Sequence, residues 1–158
     1  MKKGLFSVAF MLLIIGSCNE NRLYDTLIAP PGDLEWNRSD KLSFDIEIID
    51  TSIEYNQFIS FRHAVGYAFS ACYLKIEETS PDGEITEYHT SVPIADSDGY
   101  SGDCHGDICD LEVLWLQNRT FNSPGVYHYQ ISHEMKQDKI HMVMLVGMIL
   151  DKVGREDL

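Results

Sequence analysis

The chain has 158 residues, 12 basic and 25 acidic, and a net charge of −13. That balance argues against nucleic acid as a partner and against a basic patch for anionic lipid. The length suits one domain with a core large enough to fold without staples.

The N-terminus reads as an export signal. Lys2 and Lys3 precede an apolar run from Leu5 to Ile15 broken only by Ser7, and Gly16 and Ser17 stand before Cys18. A positive start, an apolar stretch and a small-residue ending mark a secretory signal, and small-small-Cys is the lipobox of bacterial lipoproteins. The alternative, a spanning helix, falls short of the ~20 apolar residues a bilayer needs. Residues 1–17 are therefore expected to be cleaved as a lipoprotein signal peptide. Cys18 becomes the first residue, with a thioether-linked diacylglycerol and an acylated amino group. One acyl chain anchors only marginally, whereas two or three hold firmly. The mature chain keeps 141 residues and, without Lys2 and Lys3, a charge of −15. Asn19 follows the lipid cysteine where aspartate often directs inner-membrane retention, so the outer membrane is expected, with the leaflet open.

Residues 18–35 read as the lipidated N-terminus and a tether containing Pro30-Pro31-Gly32, with an edge strand at Tyr24 to Ile28. Trp36 opens the folded part. Leu42, Phe44, Ile46 and Ile48 alternate with polar residues, the period of a half-buried strand. Further strands are expected at Gln57 to Arg62, Tyr67 to Glu77, Glu84 to Val92, Leu111 to Leu116 and Val126 to His133. Ser80-Pro81-Asp82-Gly83 and Asn122-Ser123-Pro124-Gly125 supply turns. Glu134 to Lys139 is expected as one helical turn. Met142 to Leu150, nearly all apolar, fits a central strand buried on both faces. Seven or eight short strands without a long amphipathic helix predict an all-β fold. The expected form is a single β-sandwich, jelly-roll or immunoglobulin-like, over 36–153, followed by a polar tail at 154–158.

No catalytic, cofactor-binding or metal site emerges. His133-Glu134 lacks a second histidine at metalloprotease spacing, and no phosphate-cradling glycine loop or nucleophile elbow is present. Cys104 and Cys109 bracket a short glycine-containing loop that can close as a disulfide in an oxidising compartment. Unpaired thiols and a zinc site using Cys104, His105, Asp107 and Cys109 are the alternatives. Four ligands from six consecutive residues rarely surround one ion tetrahedrally. Cys72, in an apolar run, is expected to be buried. Asp96-Ser97-Asp98-Gly99 hints at calcium, but counting from Asp96 displaces the glycine turn and puts Asp107 at the twelfth position. Tyr127, just past a Pro-Gly turn, suits a hydroxyl that braces a sandwich corner. Trp36, Tyr100 and Trp115 are core aromatics or, alternatively, platforms for sugars.

Several landmarks in order carry a resemblance. They are Cys18, Trp36, the Phe44 to Asp50 strand, Tyr55, and Arg62 with Tyr67. Pro81-Asp82-Gly83, Ile94-Ala95-Asp96 with Gly99 and Gly102, Pro124-Gly125-Val126-Tyr127, Met135-Lys136 and Val146-Gly147 follow. Together they make the chain similar to the gliding motility lipoprotein GldH family over about residues 19 to 152. Lys136 stands where the family favours arginine, and Cys72, Cys104 and Cys109 lie outside its pattern. The resemblance implies a non-catalytic outer-envelope lipoprotein, partnered by other gliding or protein-export lipoproteins. It supplies no catalytic residue. A surface glycan-binding lipoprotein is the alternative.

Overall fold

The computed structural model describes residues 21–154, so Cys18, the signal peptide and most of the polar tail lie outside the described residues. The described residues form thirteen strands and no helix. The five-stranded sheet contains β1 (Arg22–Ile28), β13 (Val143–Lys152), β4 (Tyr55–Ala64), β10 (Ile108–Arg119) and β9 (Asp103–His105), in that order. The four-stranded sheet contains β3 (Leu42–Ile48), β11 (Gly125–His133), β5 (Ala71–Thr79) and β6 (Ile85–Pro93). Two small ladders pair β2 (Glu35–Asn37) with β12 (Lys139–His141), and β7 (Ala95–Asp96) with β8 (Gly99–Tyr100). Every pairing is antiparallel.

Alternation explains which faces meet. In β3, Leu42, Phe44, Ile46 and Ile48 are buried while Ser43, Asp45 and Glu47 are exposed. They share one core with Ile59 and Phe61 of β4, Leu74 and Ile76 of β5, Tyr129 and Ile131 of β11, and Val146, Met148 and Leu150 of β13. Each such side chain contributes roughly 1.5–3 kcal/mol when fully buried. The core thus draws on both principal sheets. Strand β13 is paired on both sides, to β1 and β4, which accounts for its nearly unbroken apolar sequence.

Two local expectations change and one is extended. The edge strand expected at Tyr24 to Ile28 is present as β1, which starts at Arg22 and is hydrogen-bonded to β13. The two strands approach closely because position 147 is glycine: a Cβ there would lie 2.5 Å from the Thr26 carbonyl oxygen. Residues 134–138 form no helical turn. Instead the Glu134 amide donates to the Tyr73 carbonyl at 2.8 Å, and Arg38 donates to the Met135 and Lys136 carbonyls at 2.6 Å each. These outside partners replace the internal bonds of a helix. The strand expected from Tyr67 begins at Ala71, because Gly66, with φ of 100°, turns the chain first.

Two tyrosines brace loops. Tyr127 Oη donates to the Ser123 carbonyl at 3.0 Å, and Tyr55 Oη donates to the Asp50 carbonyl at 2.6 Å. Trp36 is fully buried in β2, its Nε1 donating to the Asp40 carbonyl at 3.0 Å.

Candidate functional site

Strand direction gives the domain two ends. Arg22, Tyr55, Arg119 and Lys152 mark one, together with the loops 49–54, 80–84 and 120–124. The chain enters there, and the Lys152 amide donates to the Asn21 carbonyl at 2.8 Å. Ala64, Ala71, Pro93, Ile108 and Val143 mark the other end, where 65–70 and 94–107 cluster.

That far cluster is built from two small hairpins. In the first, Asp96 Oδ1 accepts from the Asp98 amide at 2.8 Å, and Gly99 takes φ of 130°. The aspartate caps its own turn, and glycine supplies the positive φ that follows it. Ser101 N donates to the Ile94 carbonyl at 2.8 Å, and Ile94 N to the Ser70 carbonyl at 2.8 Å. Tyr100 Oη accepts from the Gly66 amide at 2.8 Å, and its ring lies 5.1 Å from that of buried His63. In the second hairpin Cys104 and Cys109 sit opposite each other on β9 and β10 and are joined as a disulfide. The Val65 amide donates to the Asp107 carbonyl at 2.8 Å, and Arg62 holds the Asp110 carboxylate with bonds of 2.6 and 3.0 Å. The result is an acidic loop surface on which Asp96, Asp98, Asp103 and Asp107 are exposed, with exposed His105 beside Asp103.

Chemical groups in this cluster are spent on structure. Asp96 turns its carboxylate to its own loop, and Asp107 belongs to the other hairpin. Cys104 and Cys109 are bonded to each other, so neither offers the thiolate that zinc needs. Among the described residues no group of three His, Cys, Asp or Glu side chains is placed to hold a metal ion. Cys72 is fully buried, and burial pushes its thiol up to about 12, far from a nucleophile at neutral pH. Of the aromatics proposed as sugar platforms, Trp36 is inaccessible, Trp115 packs edge-on to Tyr88 at 5.2 Å, and Tyr100 covers His63.

The histidines divide by environment. His63 and His133 are buried, whereas His89, His105, His128 and His141 are exposed beside carboxylates. Hydrogen bonding to Glu134 raises the His89 pKa. Burial lowers that of His133, against a bond to the Trp36 carbonyl.

The near end holds a polar cleft of about 240 Å³ whose floor is Arg119 and Glu78. Arg119 donates to both Glu78 oxygens and to Gln57 Oε1, and its guanidinium lies 4.2 Å from the Phe121 ring centre. Sequence reading passes over Arg119 because a lone arginine at a strand end usually sits in water. Its one signal is the neighbouring Phe121.

Comparison with known proteins follows the same outline. The family described as GldH lipoprotein matches residues 29–150. A gliding motility lipoprotein GldH homolog of Christiangramia forsetii is 25% identical over 139 residues, covering 85% of this chain and 82% of its own. The gliding motility lipoprotein GldH of Flavobacterium johnsoniae is 23% identical over 135 residues, covering 85% and 81%. No solved structure matches the chain. The family match begins just after β1, runs through β2 to Leu150 near the end of β13, and includes both hairpins of the far end. The chain belongs to the GldH lipoprotein family.

Proposed function

We propose that this protein is a lipid-anchored, non-catalytic component of the outer envelope that serves the gliding and protein-export machinery through protein–protein contacts. Residues 1–17 act as the signal peptide, Cys18 carries the lipid, a single β-sandwich is built from β1 together with 36–153, and 154–158 are a polar tail. Cys18 is the point of attachment to the outer membrane. The contact surface is the loop cluster from 93 to 109.

One observation carries this reading: the ordered loop cluster lies at the end of the domain opposite the one where the chain enters. A protein tied to a membrane by its N-terminus thereby presents these loops away from the lipid. The disulfide and the Arg62–Asp110 pair hold them in one shape, which lowers the ordering cost of binding a partner. The relatives are gliding motility lipoproteins, which supplies the process.

Fractionation of cells carrying Cys18→Ala, with motility scored in parallel, tests the anchor. The variant is expected in the soluble fraction with motility lost. A membrane-bound, fully motile variant would overturn the proposal.

A further inference from the structure

We propose that the near end of the domain, around Leu23 and Ile49, rests directly on a zwitterionic membrane interface, with the groove between β1 and β3 turned to the lipid. This deepens the anchor reading and rests on lipid being attached at Cys18.

Covalent reach is the first support. Asn21 is three residues beyond Cys18, so the link spans at most about 10 Å when fully extended. The polar layer on each side of a bilayer is roughly 5–7 Å thick. From Asn21 onward the chain is fastened to the sheet by the bond to Lys152 and by the β1–β13 ladder. The near end therefore cannot stand clear of the headgroups.

The surface found there is the second support. Ile49 is 81% exposed, the highest value among the exposed large hydrophobic side chains, and Leu23 is 46% exposed. Both border a groove of about 470 Å³ that also takes in Tyr24, Ile46, Tyr55 and Lys152. The Tyr55 hydroxyl fixes the Asp50 carbonyl, so Ile49 is presented from a braced loop. Exposed aliphatics beside the partly exposed ring of Tyr24 suit the boundary between headgroups and acyl chains.

Charge selects the kind of lipid. Among the described residues lining the groove, Asp45, Glu47 and Asp50 face one cation, Lys152. Three carboxylates repel an anionic surface, while the ammonium of an ethanolamine or choline headgroup complements them.

The test uses the full lipidated protein, reconstituted in vesicles of phosphatidylethanolamine and phosphatidylcholine with shallow bromines on the acyl chains. Ile49→Trp places a reporter at the near end. Val65→Trp places one at the far end, about 33 Å away along the ten residues of β4. Native Trp36 and Trp115 give a common background. The emission that Ile49→Trp adds is expected to fall at least about twofold relative to unbrominated vesicles, as for a side chain seated at the acyl boundary. The emission of Val65→Trp is expected to stay unchanged. Equal responses from the two reporters would overturn the proposal, as would stronger quenching when phosphatidylglycerol replaces the ethanolamine lipid. Mass spectrometry of the N-terminal peptide separates the two readings. Lipid on Cys18 with equal quenching removes only the seating of the domain, whereas a bare Cys18 removes the anchor and the seating together.

Discussion

The Arg119 guanidinium grips the Glu78 carboxylate through two hydrogen bonds of 2.5 Å each, tying β10 of one principal sheet to β5 of the other. Both side chains are largely buried, 14% and 6% exposed. Burial alone would lower the arginine pKa, but the bond to Glu78 and its neighbours raise it overall, so the guanidinium stays charged.

Removing one partner leaves the other charge buried and uncompensated. Arg119→Met or Glu78→Leu alone is expected to cost about 3–5 kcal/mol, and the double variant to recover most of that loss. Urea denaturation of the four proteins measures it. Additive losses in the double variant would contradict a direct pair.

Gly147 governs the attachment of β1. A methyl group there would meet the Thr26 carbonyl oxygen at 2.5 Å and Leu27 Cδ2 at 2.9 Å. Gly147→Ala is expected to destabilise by about 1–3 kcal/mol, as overpacking does. Hydrogen exchange should quicken over 22–28 before it quickens elsewhere. Unchanged protection of β1 would show that the sheet edge can yield.

The disulfide closes a loop of six residues, for which chain entropy gives about 2 kcal/mol. Cys104→Ala with Cys109→Ala is expected to lose about that much. Exchange should rise mainly over 93–109, leaving β3 and β11 protected. Mass mapping of the unreduced protein checks the pairing directly, and free thiols at both positions would remove the basis of this expectation.

His133 makes the fold sensitive to acid. Its Nε2 lies 3.1 Å from the Trp36 carbonyl and its Nδ1 is buried without a partner. Protonation would bury a second, unpaired N–H, and burial accordingly lowers the pKa below the ordinary 6.5, with Arg38 adding to it and Asp40 and Asp138 opposing. With the folded value below the unfolded one, this contribution is complete above the unfolded pKa and is lost as pH falls through the folded value. His133→Gln, which retains a donor, is expected to flatten the fall in denaturation midpoint between pH of about 7.5 and about 5. An identical pH profile in wild type and variant would assign the acid sensitivity elsewhere.

Sequence made the large strands legible because one-sided burial leaves an alternating pattern. The Leu42 to Ile48 alternation maps onto β3 residue for residue, and the apolar run at 142–150 maps onto doubly paired β13. Short pairings left no such trace. Three-residue β2 and β12 are too brief for periodicity, and their partnership spans about a hundred residues of sequence. β10 extends to Arg119, beyond its apolar centre, because its register shifts near Leu116 leave polar residues in the ladder. At 134–138 local composition favoured a helical turn, but long-range bonds to Tyr73 and Arg38 prevailed. The loop cluster was visible as polar, glycine-rich sequence. Its position opposite the point where the chain enters depended on strand pairing and was not.

The most direct measurement is photo-cross-linking in intact cells of the lipoprotein carrying a photoreactive residue at position 107, with the captured proteins identified by mass spectrometry. Motility or secretion proteins are expected to be recovered above a Cys18→Ala control, and to be absent when the photoreactive residue is moved to position 49. Recovery of glycan-uptake proteins alone, or the same proteins from both positions, would contradict a machine component that engages its partners through the loops at 93–109.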